Sequence, residues 1–229
     1  MKKRLQILVL SLLFVSNFGY TQSVLFVGNS LTYSNNLPEI LERIAKDFNE
    51  SIETTSLCFP NYGLEDHWLE GKFHKLMNQN KYDFVIVQQG PSSQPPGRKM
   101  LLDYGAKMKA VCKVKSTELA YFMVWPSKYY YYTFDGVIDN HREAAKVNDA
   151  KLFPVGVIWK AYEEQKNNVS LYSHDDFHPS KAGSFLAALT IFHGLYPEKK
   201  LHKIDYKTYK KWVKDEASFN AIIDLITKK

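Results

Sequence analysis

The stretch Val24-Leu25-Phe26-Val27-Gly28-Asn29-Ser30-Leu31-Thr32 decides the architecture. Its first four residues are uninterrupted and apolar, the pattern of a short strand buried on both faces of a parallel sheet. Gly28, Asn29 and Ser30 end the run with turn chemistry. A helical period then takes over: Leu37, Ile40, Leu41, Ile44, Ala45 and Phe48 share one face of a helix whose start is marked by Asn36 and Pro38. The alternation repeats along the chain, with strand candidates at 52–58, 84–87, 118–124 and 152–155 and helical segments at 64–78, 99–114, 137–148 and 180–195. It predicts an α/β fold, a parallel sheet of about five strands with helices on both faces. In such a sheet, ligands bind on the loops beyond the carboxyl ends of the strands.

At 229 residues, 45% hydrophobic and 24% charged, the chain has the make-up of an ordinary globular protein. No repeat, low-complexity linker or shift in composition divides it. Lys2, Lys3 and Arg4 precede an apolar run from Leu5 to Val15 and a more polar stretch ending at Gln22. This is the pattern of a signal peptide, and the run falls well short of the roughly 20 residues that a membrane span needs. Cleavage is expected near Gln22, leaving one domain over 23–229 in the periplasm or medium, with no stable membrane insertion. The first cysteine is Cys58, so a lipid-modified N-terminal cysteine is not indicated.

Loss of Lys2, Lys3 and Arg4 lowers the net charge from +6 to +3, too mild a balance to imply a nucleic-acid partner. Much of the excess lies in a Lys-rich extension over about 199–229, where Lys199, Lys203, Lys207 and Lys211 alternate with Leu201, Ile204, Tyr209 and Trp212, as on the solvated face of terminal helices. Cys58 and Cys112 could form a disulfide in an oxidising compartment, and spacing alone leaves their pairing open. No Cys-x-x-Cys or His-Glu-x-x-His spacing supports a zinc site, and no Gly-x-x-x-x-Gly-Lys or Gly-x-Gly-x-x-Gly supports a nucleotide site.

Two loops carry chemistry. Ser30 follows the first strand, where a serine can enter the site while nearby backbone N–H groups stay free for an anion. Read alone, Gly28-Asn29-Ser30 is more simply a turn or helix cap. The second loop reads Ser173-His174-Asp175-Asp176-Phe177-His178-Pro179-Ser180. A histidine used as a general base needs a carboxylate to fix its tautomer, and Asp175, three residues before His178, has the spacing for it. His174 and Asp176 are in the wrong register for that pair. Pro179 and Ser180 open a helix, so the pair would sit on a rigid entrance.

Together these loops resemble the first and fifth blocks of the SGNH (GDSL-like) hydrolases: Gly28-Asn29-Ser30-Leu31, and Asp175-Asp176-Phe177-His178-Pro179 in the Asp-x-x-His-Pro form. Pro154-Val155-Gly156 with Trp159 is similar to a bacterial subgroup. The resemblance implies a flavodoxin-like three-layer α/β/α fold, with Ser30 as nucleophile, His178 as base and Asp175 as its orienting carboxylate. It also implies an oxyanion hole of the Ser30 and Gly63 backbone N–H groups and the Gln89 amide, with Asn61 the fallback for Gly63. The third block departs from the family's Gly-x-Asn-Asp. Gln88-Gln89-Gly90 is similar instead to the Gln-Gly-Glu block of SGNH acetylesterases acting on sugars. The implied activity is hydrolysis of carboxylic, foremost acetyl, esters through an acyl-enzyme, on a small-molecule or glycan ester, with no metal or organic cofactor. Tyr129, Tyr130, Tyr131 and Tyr132 follow the fourth strand and so fall at the site edge, where rings can stack on sugars or simply pack. A lipid or aryl esterase, and a non-catalytic carbohydrate-binding protein of the same fold, are the alternatives.

Overall fold

The computed structural model describes residues 20–165 and 169–228. Most of the expected signal peptide, residues 1–19, lies outside the described residues. In chain order the elements are β1 (Thr21–Gly28), α1 (Ser30–Tyr33), α2 (Leu37–Asp47), β2 (Ser51–Cys58), α3 (Leu64–Leu69), α4 (Lys72–Gln79), β3 (Phe84–Val87), α5 (Pro95–Val114) and β4 (Glu118–Phe122). They continue with α6 (Phe134–Val147), β5 (Lys151–Phe153), α7 (Val155–Glu164), α8 (Lys181–Leu195), α9 (Tyr206–Tyr209) and α10 (Glu216–Thr227). Every strand pair is parallel and the sheet order is β2-β1-β3-β4-β5. The direction of winding reverses between β1 and β3, which makes the carboxyl ends of those two strands the place for a site.

Successive side chains of a strand point to opposite faces, and each face has its own core. Val24 and Phe26 of β1, Ile86 of β3 and Phe122 of β4 pack under α2, α7, α8 and α10. Leu25 and Val27, Val85 and Val87, and Leu119 and Tyr121 pack under α3, α4, α5 and the end of α6. The result is three layers, α/β/α. α8 is buried on all sides from Ala182 to Phe192, as a helix apolar all round its circumference must be. The Lys-rich 199–228 stretch supplies part of its cover. Leu201, Tyr209, Val213, Phe219, Ile222 and Ile226 turn inward, and Phe185 of α8 stacks on Phe219 with ring centres 5.5 Å apart. No helix among the described residues is long and apolar enough to cross a membrane.

Several boundaries differ from the sequence reading, among them an earlier start for α5 at Pro95 and for α6 at Phe134. β1 starts at Thr21, before the expected Val24, because Thr21 and Gln22 find partners in Ser51 and Ile52. A cut after Gln22 would remove both rungs. The helix expected over 64–78 is two helices, broken at Gly71, whose φ of +75° is the left-handed region where glycine is at home. β4 stops at Phe122, short of Val124. β5 stops at Phe153, and Val155, expected to close it, opens α7, a helix the apolar run Val155-Gly156-Val157-Ile158-Trp159 disguised as strand. Cys58 and Cys112 are both free thiols, on β2 and α5.

Candidate active site

Ser30 is the first residue of α1, capped by Asn29, whose side-chain oxygen accepts the Leu31 N–H at 3.1 Å. At that position its own N–H has no acceptor within the helix. The turn is held from two sides by buried groups that the sequence reading missed. Gln88 Oε1 accepts the Asn29 N–H and the Thr32 hydroxyl, each at 2.8 Å. His67 Nε2, kept neutral by burial, which lowers its pKa, donates to Gly28 O at 2.8 Å. The close approach demands glycine at 28, since a Cβ there would lie 2.6 Å from Gln88 Oε1. The parallel register Val27↔Val87, extended by one residue, brings Gln88 beside Gly28, a pairing visible only once the strands are aligned.

The other half of the site is one short loop. Asp175 Oδ1 accepts the N–H groups of Phe177 and His178 at 3.1 and 2.9 Å, closing a turn on itself. Asp175 Oδ2 lies 2.5 Å from His178 Nδ1, and His178 Nε2 lies 2.9 Å from Ser30 Oγ. With Nδ1–H donating to the carboxylate, Nε2 is left to accept the Ser30 hydroxyl. The His178 imidazole, followed by the two backbone N–H groups, holds the Asp175 carboxyl down at about 2 against an ordinary 3.8. Asp176 takes the left-handed conformation, φ +55°. Its carboxylate pairs with Lys128 Nζ at 3.0 Å and its carbonyl accepts the Lys128 N–H at 2.9 Å. The Trp125 indole N–H donates to Phe177 O at 3.1 Å. Ser180 caps α8 by accepting the Gly183 N–H. His174 lies beside Ser173 Oγ, away from the pair.

The expected oxyanion donors stand differently. Gly63 and Gln89 line the same cleft as Ser30, about 390 Å³ in volume and lined also by Pro91 and Phe177. Gly63 N–H donates to Asp66 Oδ2 at 2.7 Å. Gln89 Nε2 donates to Ser92 Oγ at 2.7 Å and Gly97 O at 3.1 Å, so both amide hydrogens are committed to the turn leading into α5. Gln89 Oε1 accepts the Leu64 N–H at 3.3 Å. Asn61, left-handed at φ +63°, lines the mouth. No group of three or more His, Cys, Asp or Glu side chains able to hold a metal occurs among the described residues.

Neither a protein-family model nor a curated protein matches this sequence. Solved structures do match in three dimensions. A DUF4886-family protein from Bacteroides uniformis superposes with a TM-score of 0.77 at 16% identity, over 91% of this chain and 94% of that one. A candidate SGNH hydrolase from Slackia heliotrinireducens gives 0.63 at 21% identity, over 77% of this chain and all of that one. A variant of an acetyl-xylooligosaccharide esterase from Geobacillus gives 0.57 at 14%, over 78% and 95% of the two chains. At these identities the likeness is one of fold. The chain has the three-layer fold found in SGNH hydrolases.

Proposed function

We propose that this protein is a serine esterase that removes short acyl groups, acetyl foremost, from carbohydrate esters by way of an acyl-enzyme. The observation that carries the reading is the unbroken line from Asp175 Oδ2 through His178 to Ser30 Oγ, with steps of 2.5 and 2.9 Å. Nothing in the packing of the sheet requires that line. As Ser30 Oγ attacks the ester carbonyl, its proton passes to His178 Nε2, and Asp175 stabilises the imidazolium that forms. The same proton then goes to the oxygen of the departing alcohol. A water deprotonated by His178 releases the acyl group from Ser30.

For the oxyanion, the reading assigns the Ser30 N–H and the Gly63 N–H, the latter once the exposed Asp66 carboxylate gives way. Gln89, with its amide hydrogens engaged, serves as the brace of the turn beside them. The chemistry calls for no metal or organic cofactor. Export behind a leader over 1–22 completes the reading, and N-terminal sequencing of the secreted product tests it.

The fluorophosphonate reaction of the folded protein tests the nucleophile. A single adduct on Ser30, together with turnover of p-nitrophenyl acetate, is expected. A folded protein that takes no label and turns over no ester would instead be the binding protein of the same fold. A lipid esterase would prefer p-nitrophenyl octanoate to the acetate.

A further inference from the structure

We propose that the groove beside the His178 loop, faced by Tyr129, Tyr130 and Tyr132, is the subsite for the sugar ring of the departing alcohol, while the acyl half lies in the cleft with Ser30. The proposal rests on the esterase reading and assigns the two halves of the ester to two places. Chemistry fixes the direction. The leaving oxygen must take its proton from His178 Nε2, so the alcohol departs on the side of the loop that carries His178. The groove on that side, about 610 Å³, is lined by Asp175, Asp176 and Phe177 of the same loop. It shares Pro91 and Phe177 with the Ser30 cleft, so the two spaces are neighbours on either side of those residues.

The tyrosines suit a sugar. Tyr129 and Tyr132 are each 82% exposed and Tyr130 is 52% exposed, an unusual amount of ring left in water at one edge. Tyr129 and Tyr130 stand edge to face, ring centres 4.8 Å apart, and so offer faces in two directions. Tyr131 turns the other way and packs on Phe134. The segment is also preorganised: Lys128 ties it to Asp176 by backbone and side chain, and the Thr133 hydroxyl donates to Tyr130 O at 2.7 Å. A ring that is already held loses little freedom on stacking. A pyranose has a C–H face for an aromatic ring and a rim of hydroxyls, and Ser93, Gln94 and Asp176 supply polar partners around the groove. An alkyl chain would offer Ser93 and Gln94 no polar partner. On the acyl side, Asn61, Asp66 and Ser92 line the cleft, a wall that favours a short acyl group over a fatty one.

The test compares kcat/KM for ethyl acetate, whose alcohol is too small to span the groove, with that for a panel of acetylated mono- to tetrasaccharides and for p-nitrophenyl octanoate. At least one sugar acetate should exceed ethyl acetate by about a hundredfold, and the Tyr129→Ala/Tyr132→Ala double variant should cut that ratio by about tenfold or more. Tyr129→Phe/Tyr132→Phe, which keeps the rings, should restore most of it. Equal losses on both kinds of ester, an unchanged ratio, or preference for the octanoate over every sugar acetate would each overturn the assignment. If Ser30 takes a fluorophosphonate label while no sugar ester is preferred, this inference and the carbohydrate part of the reading fall, and the serine esterase stands. Without label or turnover of any ester, the esterase reading falls and takes this one with it.

Discussion

The two loops that meet at Ser30 and His178 are held in opposite ways. The Ser30 turn is fastened from the interior, by Gln88 and His67, groups that are 1% exposed and lie just past the end of β3 and on α3. The His178 loop chiefly fastens itself, through Asp175, with the Lys128 ion pair outside it and one bond from the buried Trp125 indole beneath. A serine nucleophile has to meet both its base and the oxyanion donors, so its freedom is the more damaging; the imidazole needs only its tautomer and its reach. The difference teaches that the nucleophile's turn depends chiefly on distant buried groups, whereas the histidine's loop depends first on its own neighbour.

The largest expected effect treats the two loops as a unit. Ser30→Ala, His178→Ala and the double variant should each lose activity by about 10⁴-fold or more, because nucleophile and base act together. If the single losses multiplied in the double variant, the two loops would be working separately.

Acid should separate the loops. Burial lowers the pKa of His67 beneath the Ser30 turn, and that of His141, fully buried on α6 outside both loops, to about 4, below the ordinary 6.5. Between those values the unfolded chain binds more protons than the folded one, so stability present above pH 6.5 is lost as pH falls toward 4. For His141 alone the whole span is of order 3 kcal/mol, and His141→Leu should flatten the curve of denaturation midpoint against pH. Asp175 behaves differently: depressed to about 2, its contribution holds above its ordinary 3.8 and is lost only as pH falls through about 2. A curve that stays flat from pH 7 to 4 would contradict the buried, neutral histidines.

Next come the fastenings themselves. Gln88→Met keeps the length of the side chain and removes the acceptor of two buried bonds, and kcat should drop by roughly ten- to a hundredfold with little change in KM. Lys128→Ala, at the surface, should change kcat by less than about threefold, since exposed ion pairs contribute little. The reverse order in the same kinetic assay would invert the comparison. The smallest effect belongs to Gln89→Ala. With its amide spent on Ser92 and Gly97, the loss is about 1–3 kcal/mol of stability, read as a lower denaturation midpoint, and kcat stays within about threefold. A hundredfold fall in kcat at unchanged stability would restore Gln89 as an oxyanion donor.

The same contrast explains what the sequence makes legible. Asp175 and His178 are readable because their bonds join residues two or three apart, and the strand-helix alternation is readable because burial on both faces of β1 and β3 writes continuous apolar runs. Gln88 and His67 are hidden because nothing near them in the chain betrays the turn they hold. Gln89 attracted the reading instead of Gln88, since a motif records residue types while the pleat of the strand decides which of two adjacent amides turns toward Gly28. Asp176 looked idle for a related reason: its partner, Lys128, is on another segment.

The two thiols turn this difference into something that can be timed. Burial pushes Cys58 up to about 11 and Cys112 up to about 12, so neither is a reactive thiolate at neutral pH. Cys58 pairs in register with Gly28, at the foot of the Ser30 turn, whereas Cys112 is wholly enclosed on the buried side of α5. A maleimide can reach Cys112 only when its surroundings part, while half-buried Cys58 is screened according to how tightly the turn beside it packs. The labelling rate of Cys58 therefore clocks local breathing of the nucleophile turn, that of Cys112 clocks opening of the core, and Gln88→Met should quicken the first without touching the second.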